Sequence, residues 1–236
     1  MKTLLLSVLT FAASVILANA GWEEDYGRLL KKYVTPNGVR YSEWKNNEAD
    51  TAALNGVVEG IASARVPGNQ KEALAFYMNA YNAWILHQAL EKYPTKSVKD
   101  TLFTFFTSDR IKVAGDRMSF NHLEKDIIRK KFNEPRIHLT LNCASRSCPP
   151  LRNEPYTAAK LEGQFEDQSR DYANSPRGVS VTKNGVALSK IFDWYKDDFA
   201  PVGGSVVFVN KYRSSAIPPN AKVTFQEYDW ALNEAK

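Results

Sequence analysis

Cysteine and histidine are scarce in this 236-residue sequence, which has two cysteines and three histidines. The sequence has no internal repeat and no low-complexity segment. No G-x-S-x-G, P-loop or dinucleotide-binding fingerprint is present, so the commonest local signatures of hydrolases and nucleotide-binding proteins are absent. All three histidines precede both cysteines. This order excludes the Cys-then-His arrangement of papain-like and transglutaminase-like enzymes unless the fold is permuted.

The one strongly apolar run lies at the N-terminus and predicts a signal peptide over residues 1–20. Lys2 precedes a mostly apolar stretch from Leu4 to Leu17, and Ala18-Asn19-Ala20 provides a small-x-small cleavage site. The run is short for a bilayer span, which needs about 20 residues. We therefore expect an exported protein, periplasmic or extracellular, with no transmembrane segment in the mature chain.

The full sequence, with 44% hydrophobic and 12% aromatic residues, has the composition of a globular protein, and its mature chain comprises residues 21–236. Its length suits a single domain with a substantial core. The net charge is +5, but the basic residues are scattered along the chain. No nucleic-acid partner is expected, because such binding needs a concentrated basic surface.

Helical patterns alternate with hairpin patterns, which predicts an α+β fold with a mixed or antiparallel sheet built from hairpins. A long helix from about Gln70 to Lys92 is apolar on nearly every face and is predicted to be the buried central helix. Hairpins are predicted at residues 34–39, 111–119 and 179–188, and single strands at residues 137–142 and 223–225.

Polar side chains interrupt the apolar faces of two predicted helices. Asn79 and Asn82 lie one turn apart on the central helix. They either tie loops or strand ends to the helix or orient a catalytic group, since a buried amide needs hydrogen-bond partners. Glu124 projects toward the core between Ile127 and Ile128, although its spacing from Asn121 also fits a capping box.

Both cysteines follow the predicted polar strand that contains His138, in the segment Asn142-Cys143-Ala-Ser-Arg-Ser-Cys148-Pro-Pro. In an oxidising compartment Cys143 and Cys148 could form a disulfide. Alternatively, Cys148 is a catalytic thiolate, held rigidly by the two prolines, with His138 as its base. Glu124, Asn79 or Asn82 would then orient the imidazole. A metal site formed by His138, both cysteines and Glu124 is a third hypothesis, although the spacing is not the usual C-x2-C.

The sequence resembles the bacterial and plant family known as domain of unknown function 547. The motifs that carry the resemblance are Phe76-Tyr-Met-Asn79-Ala-Tyr-Asn82-Ala, Asn121-x-x-Glu124 with Arg129, His138-x-x-Leu-Asn-Cys143-Ala-Ser-x-Ser-Cys148-Pro-Pro-Leu-Arg152, Leu188-Ser-x-Ile-Phe-x-Trp194-Tyr195-x-x-Asp198-Phe199, and Tyr228-Asp-Trp. The resemblance implies a shared fold and a common pocket lined by these motifs, but no settled reaction. It divides the mature chain into an N-terminal helical extension, residues 21–66, and a family-like region, residues 67–236.

These observations lead to two hypotheses of different classes. The first is a cysteine-dependent hydrolase or acyl transferase that acts on peptide or amide bonds through Cys148, His138, Glu124, Asn79 and Asn82. The second is a non-catalytic binding or assembly module in which a Cys143–Cys148 disulfide pins a loop. Neither hypothesis calls for a cofactor or a metal, and neither names the substrate or protein partner.

Overall fold

The computed structural model describes residues 21–101, 104, 106–183 and 185–235. The predicted signal peptide, residues 1–20, therefore lies outside the described residues. The α-helices are α1 (Trp22–Tyr33), α2 (Tyr41–Lys45), α3 (Glu48–Ser63), α4 (Gln70–Glu91), α5 (Arg129–Phe132), α6 (Leu161–Asn174), α7 (Ile191–Trp194), α8 (Lys196–Phe199) and α9 (Ser205–Tyr212). A π-helical segment, His122–Ile128, leads into α5, and short 3-10 helices span Val98–Thr101, Pro135–Leu139 and Ala200–Val202. The strands are β1 (Val34–Thr35), β2 (Gly38–Val39), β3 (Ile111–Val113), β4 (Asp116–Met118), β5 (Val179–Thr182), β6 (Gly185–Leu188) and β7 (Lys222–Phe225).

The predicted α+β class is confirmed, and the strands form three small sheets. β1 pairs with β2 and β3 pairs with β4, each as an isolated antiparallel hairpin. The third sheet has the order β5-β6-β7, with β5 antiparallel and β7 parallel to β6. Because each hairpin is closed by a short local turn, its two strands could be located from sequence.

The central helix α4 is buried on nearly every face, as predicted. Its first turn is capped by Asn69, whose side chain accepts hydrogen bonds from the amides of Lys71 at 2.9 Å and Glu72 at 3.3 Å. The helix ends at Glu91, shortly before Pro94, which cannot continue it. Both Asn79 and Asn82 are buried on this helix.

The strand predicted at residues 137–142 is wrong, because the segment forms the 3-10 helix Pro135–Leu139 followed by a loop. Glu134 caps the 3-10 helix by accepting the amide of Arg136 at 3.0 Å, and Pro135 occupies its first turn. The apolar side chains of residues 137, 139 and 141 and the polar side chains of residues 138, 140 and 142 are all buried. Ile137 and Leu141 belong to one hydrophobic cluster and Leu139 to another. The alternate polar side chains are buried through hydrogen bonds, such as that of His138 with Asp198, so the alternation does not mark two faces of a sheet.

The N-terminal segment, residues 21–66, shares its hydrophobic core with α4. Helix α1 packs on α3, which packs on α4, and one continuous cluster contains side chains from all three. Asp50 on α3 ties this layer together, because it accepts hydrogen bonds from Arg28 at 2.6 Å, Lys32 at 2.6 Å and Tyr33 at 2.7 Å. The segment is thus integrated with the helix that carries the polar residues.

The C-terminal segment, residues 228–235, crosses the molecule and contacts several distant elements. It forms isolated bridges from Ala231, Leu232 and Glu234 to Ser97, Ser145 and Val39. Gly38 is required at its contact, because a Cβ there would collide with the carbonyl oxygen of Asn233. We call residues 228–235 the C-terminal strap.

Within the described ranges, no helix combines the length and apolar character that crossing a bilayer requires.

Candidate functional site

A cleft of about 610 Å³ lies where the π-helical segment, the cysteine loop, α7 and the C-terminal strap meet. Both cysteines, His138 and Glu124 line it. Four of the sequence-predicted site residues are therefore brought together. Asn79 and Asn82 are not among the lining residues.

The loop from Asn142 to Pro149 is shaped by hydrogen bonds from within and from the strap. The side chain of Asn142 donates to the carbonyl of Pro149 at 2.7 Å and accepts the amide of Ala144 at 2.8 Å. Ala144 adopts the left-handed conformation, with φ of 61°, which reverses the chain between the cysteines. The amides of Arg146 and Ser147 donate to strap carbonyls at 2.9 and 3.2 Å. These contacts hold both sulfur atoms in the cleft wall.

Cys143 is the half-buried member of the pair, and its thiol is surrounded by hydroxyl groups. Its Sγ lies 3.0 Å from the Oγ of Ser145 and 3.2 Å from the hydroxyl of Tyr228. Because Ser145 donates to the Tyr228 oxygen at 3.1 Å, the Tyr228 proton is available to the sulfur. Burial raises the pKa of Cys143, but hydrogen bonds from Cys148, Ser145 and Tyr228 outweigh it and lower that pKa to about 7.

Cys148 is 4% exposed, and its environment is the opposite of that of Cys143. Burial and the neighbouring Cys143 sulfur raise the pKa of Cys148 well above its usual range. Its Sγ accepts the backbone N–H of Cys143 at 2.9 Å, and both thiols are free. The features that favour a thiolate at neutral pH are therefore found at Cys143, although the sequence pattern favours Cys148 as the nucleophile.

His138 is held by a carboxylate that sequence reasoning missed. Its Nε2 lies 2.6 Å from Oδ2 of Asp198, and Arg129 binds the same carboxylate with two hydrogen bonds of 2.7 and 2.8 Å. Hydrogen bonds from His138 and Arg129 hold the pKa of Asp198 well below its usual range. An ionised carboxylate can only accept, so Nε2 carries the proton and Nδ1 is the basic nitrogen of the neutral ring. Nδ1 forms no hydrogen bond with any of the residues described.

Tyr195 and Glu124 form the other side of the histidine environment. The Tyr195 ring stacks on the His138 imidazole with centroids 3.8 Å apart, and its hydroxyl donates to Glu124 at 2.6 Å. Glu124 lies on the π-helical segment, and Asn121 makes no side-chain cap there, so the capping-box interpretation of Glu124 is not what the structure shows. π-Helical turns are frequent at functional sites because the extra residue redirects side chains. Here the Glu124 carboxylate fixes the ring that supports His138.

Asn79 and Asn82 bind backbone groups with both ends of their amides. Asn79 donates to the carbonyl of Tyr156 at 2.8 Å and accepts its amide at 2.9 Å. Asn82 donates to the carbonyl of Thr140 at 3.0 Å and accepts the amide of Asn142 at 2.9 Å. These contacts correspond to the first of the two interpretations, in which the amides tie loops to α4. Asn82 thereby anchors the chain between His138 and Cys143.

The described residues contain no group of three or more histidine, cysteine, aspartate or glutamate side chains placed to hold a metal ion. The hypothesis of a metal site formed by His138, both cysteines and Glu124 thus finds no matching geometry.

Aromatic side chains line the rim of the cleft. Trp194 and Tyr228 have ring centroids 4.7 Å apart, and Trp230 packs 4.5 Å from Tyr228.

Four residues with direct contacts in this site were not assigned a role from sequence, namely Arg129, Tyr195, Asp198 and Tyr228. All four belong to the motifs that carry the family resemblance. Asp198 lies 60 residues after His138, and Tyr228 lies 85 residues after Cys143. The motifs indicated that these residues matter, but only the fold shows what each one contacts.

Comparison with known proteins supports the resemblance and adds no activity. Residues 67–173 match the sequence profile of the family described as "Protein of unknown function, DUF547". No curated protein and no solved structure matches the chain. The matched segment contains His138 and both cysteines, whereas Asp198 and Tyr228 follow its end. Over the segment that carries the reactive side chains, the chain resembles the DUF547 family.

Proposed function

We propose that this protein is a thiol-dependent hydrolase or acyl transferase acting on peptide or amide bonds, with Cys143 as its nucleophile. One observation carries the proposal: a thiol whose pKa is lowered to about 7 shares a cleft with a carboxylate-bound imidazole. A thiol with that pKa is about half ionised at neutral pH, and the thiolate is the nucleophilic form. A nucleophile, a base and a carboxylate that orients the base are the three components that recur in thiol and serine hydrolases on unrelated folds.

Each side chain has a distinct role in the proposed reaction. The Cys143 thiolate attacks the substrate carbonyl, and a carbon–sulfur bond forms as the carbon–nitrogen bond breaks. His138 accepts the Cys143 thiol proton at Nδ1 and then delivers it to the leaving amine, which completes the acyl-enzyme. Asp198 holds the Nε2 proton and thereby fixes the tautomer that leaves Nδ1 available. Water or a second amine then attacks the thioester, with His138 as the base.

The surroundings of the imidazole support this assignment. Arg129 holds Asp198 through two hydrogen bonds, which keeps the carboxylate in one orientation. Tyr195 covers one face of the His138 ring at 3.8 Å, and the ring itself is buried. Rotation of the imidazole is therefore restricted, and a restricted base is what proton transfer over a short distance requires.

Acyl-enzyme formation tests the proposal directly. Reduced protein is mixed with p-nitrophenyl acetate at pH 7, and the acetyl adduct is located by intact mass and peptide mapping. We expect a burst of nitrophenol with the acetyl group on Cys143. Cys143→Ser should lose the burst, whereas the matched variant Cys148→Ser should retain it. A burst that survives in Cys143→Ser and disappears in Cys148→Ser would identify Cys148, not Cys143, as the nucleophile. A mixture of peptidyl aminocoumarins then tests cleavage of amide bonds.

A second candidate is a non-catalytic binding or assembly module stabilised by a Cys143–Cys148 disulfide. The observation that favours it is proximity, because the Cys148 sulfur lies 2.9 Å from the backbone nitrogen of Cys143. A thiol count on protein purified under oxidising conditions separates the candidates. If neither thiol is alkylated before reductant is added and acetyl transfer is absent after it, the binding module is favoured.

We further propose export from the cytoplasm, supported by the apolar run and the Ala18-Asn19-Ala20 site. N-terminal sequencing of the protein expressed from its full reading frame should then find a mature chain that starts at Gly21. Retention of Met1 on the cellular protein would contradict this.

A further inference from the structure

We propose that Cys143 and Cys148 form a peroxide-sensitive modification site, in which Cys143 is oxidised first and Cys148 then resolves it as a disulfide. The inference goes beyond the proposed acyl-transfer reaction, in which Cys148 forms and breaks no bond to the substrate. Cys148 is a buried thiol beside the reactive thiol of Cys143, and a reactive cysteine next to a second, resolving cysteine is typical of redox sensors.

The two thiols differ in their access to solvent, and this difference sets the order of events. Cys143 lines the cleft and is half-buried, so a small oxidant that enters the cleft reaches its sulfur. Cys148 is 4% exposed, and its Sγ is oriented toward protein atoms, with the Leu141 carbonyl at 3.8 Å. Hydroxyl groups of Ser145 and Tyr228 lie 3.0 and 3.2 Å from the Cys143 sulfur and stabilise its thiolate. Oxidation should therefore begin at Cys143.

The second thiol lies close to the first in the folded loop. The Cys148 sulfur is 2.9 Å from the nitrogen of Cys143. It thus lies within about 4.4 Å of the Cα of Cys143, because the N–Cα bond is about 1.46 Å long. The Cys143 sulfur is attached to this Cα through one Cβ atom, and a hydrogen bond joins the two thiols, so the sulfur atoms that a disulfide would link are neighbours in the folded loop.

The chemistry balances with hydrogen peroxide or an alkyl hydroperoxide as the oxidant. The Cys143 thiolate attacks one peroxide oxygen, so a sulfur–oxygen bond forms and the O–O bond breaks. The leaving group, hydroxide from hydrogen peroxide or alkoxide from an alkyl hydroperoxide, takes up a proton. The product is a sulfenic acid on Cys143, oxidised by two electrons. The Cys148 sulfur then attacks Cys143, the S–O bond breaks, and hydroxide departs with the Cys148 proton as water. A dithiol reverses the disulfide and restores both thiols.

The short spacing of the pair favours reversibility. Only four residues separate the cysteines. A disulfide that closes so small a loop removes little entropy from the unfolded chain, so folding protects it less than a disulfide that closes a long loop. Formation of the bond removes the Cys143 thiolate, and acyl transfer would stop until a reductant restores it.

The test is the mass of each cysteine after peroxide treatment of the folded, reduced protein. Wild-type protein and the variants Cys148→Ser and Cys143→Ser are exposed to graded peroxide at pH 7. Catalase ends the exposure, and the free thiols are blocked with N-ethylmaleimide. In the wild type we expect loss of two hydrogen atoms, no alkylation, and full recovery with dithiothreitol. In Cys148→Ser, Cys143 should form a dimedone-trappable sulfenic acid and then a sulfinic acid. In Cys143→Ser, oxidation of Cys148 should be at least tenfold slower.

Two outcomes would overturn the inference. Sulfinic acid on Cys143 that accumulates equally fast in the wild type and in Cys148→Ser would show that Cys148 does not resolve it. Oxidation of Cys148 in Cys143→Ser at the wild-type rate would show that Cys143 does not react first. Cys148→Ala provides a second variant should the serine disturb the buried pocket. The readout is mass alone, so a failed acyl-transfer assay leaves this test unaffected, and the reverse also holds.

Discussion

The sharpest prediction concerns how the reactivity of Cys143 changes with pH. A thiol with a pKa of about 7 should remain reactive toward iodoacetamide under mildly acidic conditions, where free cysteine, with a pKa of about 8.5, is almost entirely protonated. The measurement is the second-order rate of alkylation between pH 6 and pH 8.5, with free cysteine run in parallel. Peptide mapping assigns the label to its cysteine.

The magnitude follows from the thiolate fractions alone. At pH 6, Cys143 should be about 9% ionised and free cysteine about 0.3%, and at pH 8.5 the fractions are about 97% and 50%. The ratio of the two alkylation rates should therefore fall about 15-fold between pH 6 and pH 8.5. Restricted access to the cleft and the lower intrinsic nucleophilicity of a low-pKa thiolate scale the rate at every pH alike, so they cancel from this comparison.

A ratio that stays constant across the range would refute the reasoning, because it would mean that Cys143 titrates like free cysteine. Tyr228→Phe supplies the internal test. It removes one hydroxyl and keeps the ring in the aromatic rim, so the pKa of Cys143 should rise and the alkylation midpoint should move to higher pH. Cys148→Ser should leave the label on Cys143.

Three further predictions concern residues around the site and in the core. Asp198→Asn should slow acetyl transfer to Cys143 at least tenfold, measured by the burst, because an amide cannot hold the Nε2 proton as a carboxylate does. Asp50→Asn should lower the free energy of unfolding by about 1–2 kcal/mol in urea titrations, with the exposed Asp25→Asn as its control. Hydrogen bonds, above all the one from Lys32, hold the pKa of Asp50 well below its usual range. The stability that Asp50 contributes is therefore complete above the unfolded pKa of about 3.9 and is lost as the pH falls below that value. A difference in stability between the wild type and Asp50→Asn that persists undiminished at pH 2 would contradict this. Asn82→Ala should cost about 2–4 kcal/mol by the same titration, since two buried backbone groups lose their partners, and a cost below about 0.5 kcal/mol would contradict that account.

The parts of the fold that could be predicted are those specified by neighbouring residues. Asn69 and Pro94 delimit α4, and the Asn37-Gly38 turn closes the first hairpin. Helix α9 was not predicted, because its apolar residues, Val206 to Val209, form an unbroken run without helical periodicity. The strand predicted at 137–142 was wrong because its alternate polar side chains are buried through hydrogen bonds, such as that of His138 with Asp198, which a local pattern does not reveal.

The residues of the candidate site could likewise be predicted only in part. His138, Glu124 and the cysteine pair could be singled out because polar or reactive residues in apolar surroundings need an explanation. The choice between the cysteines could not be made from the sequence, since it depends on where the Tyr228 hydroxyl lies in space. Likewise, no local pattern connects Asp198 with His138, and only the fold of α8 against the 3-10 helix brings them together.

The C-terminal strap has a consequence for when the thiol acquires its reactivity. Tyr228 is made 85 residues after Cys143, and Asn233 must still reach back across 192 residues to the hydroxyl of Tyr41. During synthesis, a chain that already contains both cysteines therefore lacks the Tyr228 hydroxyl. The hydrogen bond from Tyr228, one of those that lower the pKa of Cys143, forms only after the strap has docked. The order of translation thus delays the full activation of Cys143, because Tyr228 is synthesised 85 residues after it.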